Sequence, residues 1–190
     1  MINLVIIGVG GQGTLLASKV LGHLALCAGY DVRVSEVHGM SQRGGSVVTY
    51  VRMSNDAKLY SSIVEQEQAD VVLAFESLEA LRALPYLRAD GTMIVNTQRI
   101  MPMPVVVGAA QYPDDCIEQI RANAKNVVAL DATQIASECG TAKAANTVLL
   151  GVLSKSLPFS EEEWMDALEK NVKPKFLEIN KQAFHRGRAL

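Results

Sequence analysis

The chain has 190 residues, enough for one domain whose core needs no disulfide or metal to hold it. Hydrophobic residues make up 49% and charged residues 20%, a balance that excludes a disordered chain. A net charge of −2 and an aromatic content of 5% give no pull toward nucleic acid or anionic membrane and no base-stacking platform.

The apolar run from Asn3 to Ile7 predicts a buried strand. Thr14 to Ala28 follows as a helix, with Leu15, Leu16, Val20, Leu24 and Ala28 on a helical period and Gly29 at its C-terminal end. Val32–Val37 and Ser46–Met53 predict the second and third strands. The loop between them is too short for a crossover helix, so they are expected to pair antiparallel. Asp70–Phe75 predicts a fourth strand buried on both faces, and Glu76–Leu87 a helix packing Leu78, Leu81, Ala83 and Leu84. Thr92–Asn96 is the next strand. Met101-Pro102-Met103-Pro104 is expected to be extended or at an edge, with Val105-Val106-Val107 continuing it. Helices at Asp114–Ala124, Ala132–Cys139 and Thr141–Ser156 flank a strand at Val127–Asp131. From Pro158 the character changes: Ser160-x-x-Glu163 is a capping box opening one helix, and a second runs from Lys175 to about Gly187. The expected fold is a three-layer α/β/α sandwich with a mixed, mostly parallel sheet. Its main domain spans residues 1–157 and its helical C-terminal extension residues 158–190.

Two glycine clusters stand where predicted strands end. Gly8-Val9-Gly10-Gly11-Gln12-Gly13 fits the strand–glycine–helix fingerprint G-x-G-x-x-G. Glycines allow a tight turn, and the free N–H groups of a helix N-terminus favour a phosphate. Glu36, near the end of the second strand, stands where a ribose-binding acid is expected. The other reading is that these glycines only let a strand and helix pack closely. The second cluster, His38-Gly39-Met40-Ser41-Gln42-Arg43-Gly44-Gly45, follows the next strand. Ser41, Gln42 and Arg43 are donors, Arg43 offers a fork for phosphate or carboxylate, and Gly44 and Gly45 admit a close backbone. Ligands of open α/β sheets bind outside the carboxyl ends of strands, so both loops are expected to form one composite site.

His38 reads as an orienting or structural group, because no triad or metal pair surrounds it. His23 and His185 read as structural. Glu76 either lines the same crevice or begins a helix as an acid favoured by the macrodipole. Asn146, inside an apolar helix, must bond either to a loop backbone or to a ligand. Met101 and Met103 suit a contact surface. Cys27, Cys116 and Cys139 are far apart, with no Cys-x-x-Cys spacing, so no disulfide framework, zinc site or iron–sulfur cluster is implied for this chain. No apolar stretch approaches the roughly 20 residues of a membrane span, and no basic region precedes the first apolar run. The expected compartment is the cytoplasm.

The glycine cluster at 8–13, the run Met40-Ser41-Gln42-Arg43-Gly44-Gly45, the segment Ala69-Asp70-Val71-Val72-Leu73-Ala74-Phe75-Glu76 and Asn146 in its Ala/Leu-rich helix together resemble one family. It is the gamma subunit or domain of 2-oxoacid:ferredoxin oxidoreductases, and within it the indolepyruvate branch, where the gamma-like part is a separate short chain with a helical tail. The resemblance covers most of the chain through about residue 157. It implies a complex that decarboxylates a 2-oxo acid on thiamine diphosphate, passes electrons through iron–sulfur clusters to ferredoxin, and hands the acyl group to coenzyme A. This chain has no cysteine set for clusters and no Mg²⁺–diphosphate motif. The resemblance therefore implies a larger partner that carries thiamine diphosphate, Mg²⁺ and the clusters. It also places the gamma part near the path of coenzyme A, so the residues of both loops are expected to contact coenzyme A or the partner's cofactor region. The rival readings are a free-standing NAD-binding oxidoreductase domain, favoured by G-x-G-x-x-G and Glu36, and a purely structural subunit.

Overall fold

The strands owe their burial to a two-residue alternation that feeds two separate cores. The structure is a computed structural model that describes residues 1–39 and 44–190. In β1 (Ile2–Val9), Leu4 and Ile6 enter one core while Val5 and Ile7 enter the other. The helix α1 (Thr14–Cys27) leads to an antiparallel hairpin of β2 (Asp31–His38) and β3 (Ser46–Ser54), as the short connection requires. Further along, β4 (Ala69–Ala74) sends Val71 and Leu73 one way and Val72 and Ala74 the other. After α2 (Ser77–Ala83) comes β5 (Leu87–Asn96), which splits Ile94 from Met93 and Val95.

A short helix α3 (Met103–Val106) precedes α4 (Cys116–Asn123), β6 (Asn126–Leu130), α5 (Ala132–Glu138), α6 (Ala145–Leu153), α7 (Glu161–Asn171) and α8 (Leu177–Arg188). The six strands lie in the order β2-β3-β1-β4-β5-β6. Only β3 runs against the other five. Helices α1 and α5 to α8 cover the first core, and α2 and α4 cover the second. The expected α/β/α sandwich with a mixed sheet is the observed architecture. Among the described residues no helix is long and apolar enough to cross a membrane.

Proline accounts for the two largest departures from expectation. The helix predicted to reach Leu87 stops at Ala83, and Leu84–Tyr86 forms a 3-10 turn around Pro85. Proline lacks the N–H an interior turn needs, so the chain leaves the helix and enters β5 five residues before the predicted Thr92. The segment expected to be extended from Met101 to Val107 instead forms α3, with Pro104 in its first turn. The first turn of a helix does not use its N–H groups, so proline there costs nothing.

The extension is fastened to the core by glycine. A Cβ at Gly151 of α6 would stand 2.1 Å from the Phe184 carbonyl oxygen, and one at Gly187 of α8 would stand 2.0 Å from that of Val148. The two helices therefore cross backbone to backbone, and Trp164 and Phe184 fill the space beside them with ring centroids 5.4 Å apart. Ser160 opens α7 with the expected capping box.

In the second core the Tyr50 hydroxyl lies 3.1 Å from that of Tyr86. Burial, reinforced by this hydrogen bond, pushes the Tyr50 pKa from 10.0 up to about 12. Between those values the unfolded chain releases a tyrosine proton that the native chain keeps, so stability should fall as pH rises through that window. Tyr50→Phe should flatten the dependence in urea titrations at stepped pH. An unchanged slope would remove Tyr50 from the account.

Candidate functional site

Chain direction concentrates loops at one end of the sheet. The connection after β1 crosses on the α1 face toward β2, and that after β4 crosses on the α2 face toward β5. Neighbouring strands whose connections leave to opposite faces open a crevice at their carboxyl ends. The β1–β4 boundary is that switch point, and the first glycine loop lies on it.

The two loops are in contact. The Gly10 N–H donates to the Gly45 carbonyl at 3.0 Å, and β1 and β3 pair up to Val9 opposite Ser46. Ser46 is held in turn by its hydroxyl on the buried Glu79 carboxylate, which also pairs with Arg82. Gly44 has a φ of 78°. Met40, Ser41, Gln42 and Arg43 lie outside the described residues.

Each residue of the first loop has a local task. Gly8 leaves no room for a side chain, since a Cβ would stand 2.9 Å from Gln12 Oε1 and 3.0 Å from Phe75 Cβ. Gln12 braces the loop: its Oε1 accepts from the Val9 N–H at 2.7 Å, and its Nε2 donates to the Phe75 carbonyl at 2.9 Å and to Gln98 Oε1 at 3.1 Å. Gly13 caps α1 with φ 88°, and a Cβ there would stand 2.5 Å from Asn146 Nδ2. The buried Asn146 thus lies against the loop backbone. The Gly10 N–H is taken by Gly45 and that of Gln12 by the Val9 carbonyl. The N–H groups of Gly11, Gly13, Thr14 and Leu15 meet no acceptor among the described residues. An anion would use this narrower set rather than the whole loop.

Two grooves share the wall formed by Gly11 and Gly13. One, of about 410 Å³, lies between the glycine loops and includes Glu36 and His38. Glu36 accepts from Thr49 Oγ1 at 3.1 Å, and His38 Nδ1 lies 3.2 Å from the Gly39 carbonyl oxygen. Because β3 inserts between β1 and β2, Glu36 stands about 4.8 Å, one strand spacing, farther from the first loop than a ribose-binding acid on an adjacent strand would. The second groove, of about 420 Å³, lies at the switch point and adds Gln98, Thr133 and Lys143.

Sequence reasoning missed this second groove. Asn96 lies at its floor, donating through Nδ2 to the Phe75 carbonyl and to Thr133 Oγ1, while its Oδ1 accepts from the Ala132 N–H at 3.0 Å. The polar residues ending a predicted strand, Asn96 and Gln98, were a usable signal. Thr133 and Lys143 gave none, because only the packing of α5 and α6 brings them there. Lys143 is exposed and has no carboxylate within ion-pair distance among the described residues.

Glu76 is not in either groove. It is buried as the N-cap of α2, accepting from the Glu79 N–H at 2.9 Å, the Ile100 N–H at 3.0 Å and the Tyr112 hydroxyl. Of its two sequence readings the helix-start acid is the one with this geometry. Burial and this carboxylate push the Tyr112 pKa well up. The three cysteines stand on separate elements: Cys27 ends α1, Cys116 opens α4 and Cys139 follows α5. They do not fit an iron–sulfur cluster.

Comparison with known proteins supplies what geometry alone does not. Residues 3–190 match the family described as pyruvate ferredoxin/flavodoxin oxidoreductase. The chain is 44% identical over 190 residues to the indolepyruvate oxidoreductase subunit IorB of Thermococcus kodakarensis, covering 97% of this chain and 93% of that one. It is 26% identical to the common gamma subunit of the pyruvate/ketoisovalerate oxidoreductases of Pyrococcus furiosus, covering 89% of this chain and 83% of the relative. The crystal structure of a keto/oxoacid ferredoxin oxidoreductase gamma subunit from Geobacter sulfurreducens shares the fold with a TM-score of 0.72 at 24% identity, covering 98% of this chain and 96% of the other. The match runs unbroken from β1 through the glycine loops to α8, and on that extent the chain belongs to the pyruvate ferredoxin/flavodoxin oxidoreductase family.

Proposed function

We propose that this chain is the gamma-type subunit of a 2-oxoacid:ferredoxin oxidoreductase acting on indolepyruvate or a related aryl pyruvate. In this reading residues 1–157 form the gamma-type domain and 158–190 its helical extension. The observation that carries the reading is 44% identity to an indolepyruvate oxidoreductase subunit across 97% of the chain. The complex oxidatively decarboxylates the 2-oxo acid to an acyl-coenzyme A and passes the electrons to ferredoxin. Its larger subunit holds thiamine diphosphate, Mg²⁺ and the iron–sulfur clusters, for which this chain offers no cysteine set.

This chain's own share is a phosphate-binding wall. Gly11, Gly13, Thr14 and Leu15, whose N–H groups meet no acceptor among the described residues, line the first groove. Gly11 and Gly13 line the second as well, Lys143 borders that second groove, and Arg43 belongs to the second glycine loop. Coenzyme A carries a pyrophosphate and a separate ribose phosphate, so it has anionic groups for more than one cation. Exposed Met101, Met103, Val106 and Val107 offer an apolar surface for the partner chain. The topology disfavours the NAD reading through the displaced Glu36.

The test is reconstitution. The chain co-purified with its larger partner should reduce ferredoxin only with both coenzyme A and an aryl pyruvate present, and neither chain should do so alone. Turnover of an aryl pyruvate by the larger chain alone, or a complex that accepts only pyruvate, would contradict the reading.

A further inference from the structure

We propose that His23, Cys27 and Asp166 form a binding site for one divalent transition-metal ion of the zinc type. His23 and Cys27 are four residues apart on α1, so they share one face of that helix. Asp166 comes from α7 in the C-terminal extension, 143 residues from His23 along the chain. No sequence spacing reveals this set, because packing of the extension on α1 creates it.

The geometry is that of converging ligands. His23 Nε2 lies 3.2 Å from Asp166 Oδ2, and Cys27 Sγ lies 3.4 Å from the same Nε2. One ligand atom from each residue lies within 4.8 Å of the other two. With Zn–N and Zn–O near 2.0–2.1 Å and Zn–S near 2.3 Å, tetrahedral ligands stand about 3.3 Å apart for N and O and about 3.6 Å for N and S. The two pairs that share His23 therefore match an ion to within about 0.2 Å, and Cys27 Sγ and Asp166, within 4.8 Å of each other, need only close to about 3.6 Å by side-chain rotation.

The donors select the ion. Thiolate and imidazole suit zinc or cobalt and disfavour calcium and magnesium, which take oxygen. Three protein ligands leave one tetrahedral position for water or another ligand. Cys27 is exposed and Asp166 has a side-chain exposure of 54%, so ions reach the site from solvent. It is remote from the glycine loops: α1 begins at Thr14 beside them and ends at Cys27, about 20 Å away at 1.5 Å per residue. The ion would tie α7 to α1, and as a ligand of the folded chain alone it would stabilise it.

The experiment titrates the full chain, reduced and stripped of metal, with Co²⁺ under anaerobic conditions. One cobalt per chain should bind, with a thiolate-to-metal charge-transfer band and the intense visible bands of four-coordinate cobalt, and Zn²⁺ should displace it. Cys27→Ser should abolish the charge-transfer band, Asp166→Asn should weaken binding at least about tenfold, and Cys139→Ser should change neither. Zn²⁺ should raise the melting temperature of the wild-type chain and not that of Cys27→Ser. No charge-transfer band in the wild type, a band that survives Cys27→Ser, or undiminished binding by Asp166→Asn would overturn the proposal.

Discussion

Gly151→Ala should lower the stability of the chain by about 3 kcal/mol and its melting temperature by about 6–12 °C. The new methyl carbon would stand 2.1 Å from the Phe184 carbonyl oxygen and 2.8 Å from the Arg188 nitrogen. Both neighbours are backbone, so no flexible side chain can yield, and α8 must lift from α6. Lifting α8 exposes Phe184 and Ala183, which are fully buried, and opens the contact of Phe184 with Trp164. Gly187→Ala makes a contact of equal tightness but in the last turn of α8, which frays more readily than the helix interior that Gly151 occupies in α6, so its cost should be smaller. Arg186→Ala on the same helix removes an exposed ion pair with Glu138 and should change stability by no more than about 0.5 kcal/mol. Calorimetry of the three variants checks the order. A shift for Gly151→Ala as small as that for Arg186→Ala would mean that the extension is not clamped to the core as described.

Gly13→Ala should cost about 2–5 kcal/mol and also weaken coenzyme A binding in the assembled enzyme. The left-handed backbone at φ 88° costs any other residue about 1–2 kcal/mol. The methyl group would also press on Asn146 Nδ2 at 2.5 Å, adding about 1–3 kcal/mol of overpacking. Gly11→Ala separates the two terms: its φ is 101° with open space around the Cβ, so it carries only the backbone cost. Asn146→Ala should relieve part of the Gly13→Ala penalty in a double-mutant cycle, since the two positions touch. The strain at Gly13 displaces the first turn of α1, whose N–H groups form the proposed phosphate wall, so the KM for coenzyme A should rise while assembly persists. Additive losses at positions 13 and 146 would deny the contact.

Much of this was legible in the sequence where local pattern and fold agree. The apolar run of β1 announced a buried strand, that of β4 a strand buried on both faces, and the short 38–45 connection announced the β2–β3 hairpin. Strand polarity then put both glycine loops at one edge, where the Gly10–Gly45 bond joins them. The odd amide in an apolar helix, Asn146, was expected to bond to a loop backbone or a ligand; in the structure its Oδ1 accepts from Thr147 Oγ1 at 3.2 Å while its Nδ2 lies against Gly13. Other features depend on distant packing. The role of Glu76 turned on Ile100 and Tyr112, which approach only when the loop after β5 folds over α2. The groove holding Gln98, Thr133 and Lys143 needed α5 and α6 placed over the switch point. The Met103–Val106 turn shows a local rule misapplied, since proline forbids an interior helical turn but suits a first one.

The most direct test of the central claim is the KM for coenzyme A of the assembled enzyme with Arg43→Ala and with Lys143→Ala in this chain. Each variant should raise that KM by up to about tenfold, the size of one charge-assisted phosphate contact, and leave the KM for the 2-oxo acid unchanged. An unchanged KM for coenzyme A in both variants, with the complex intact, would contradict the account and leave the glycine loops as an assembly surface.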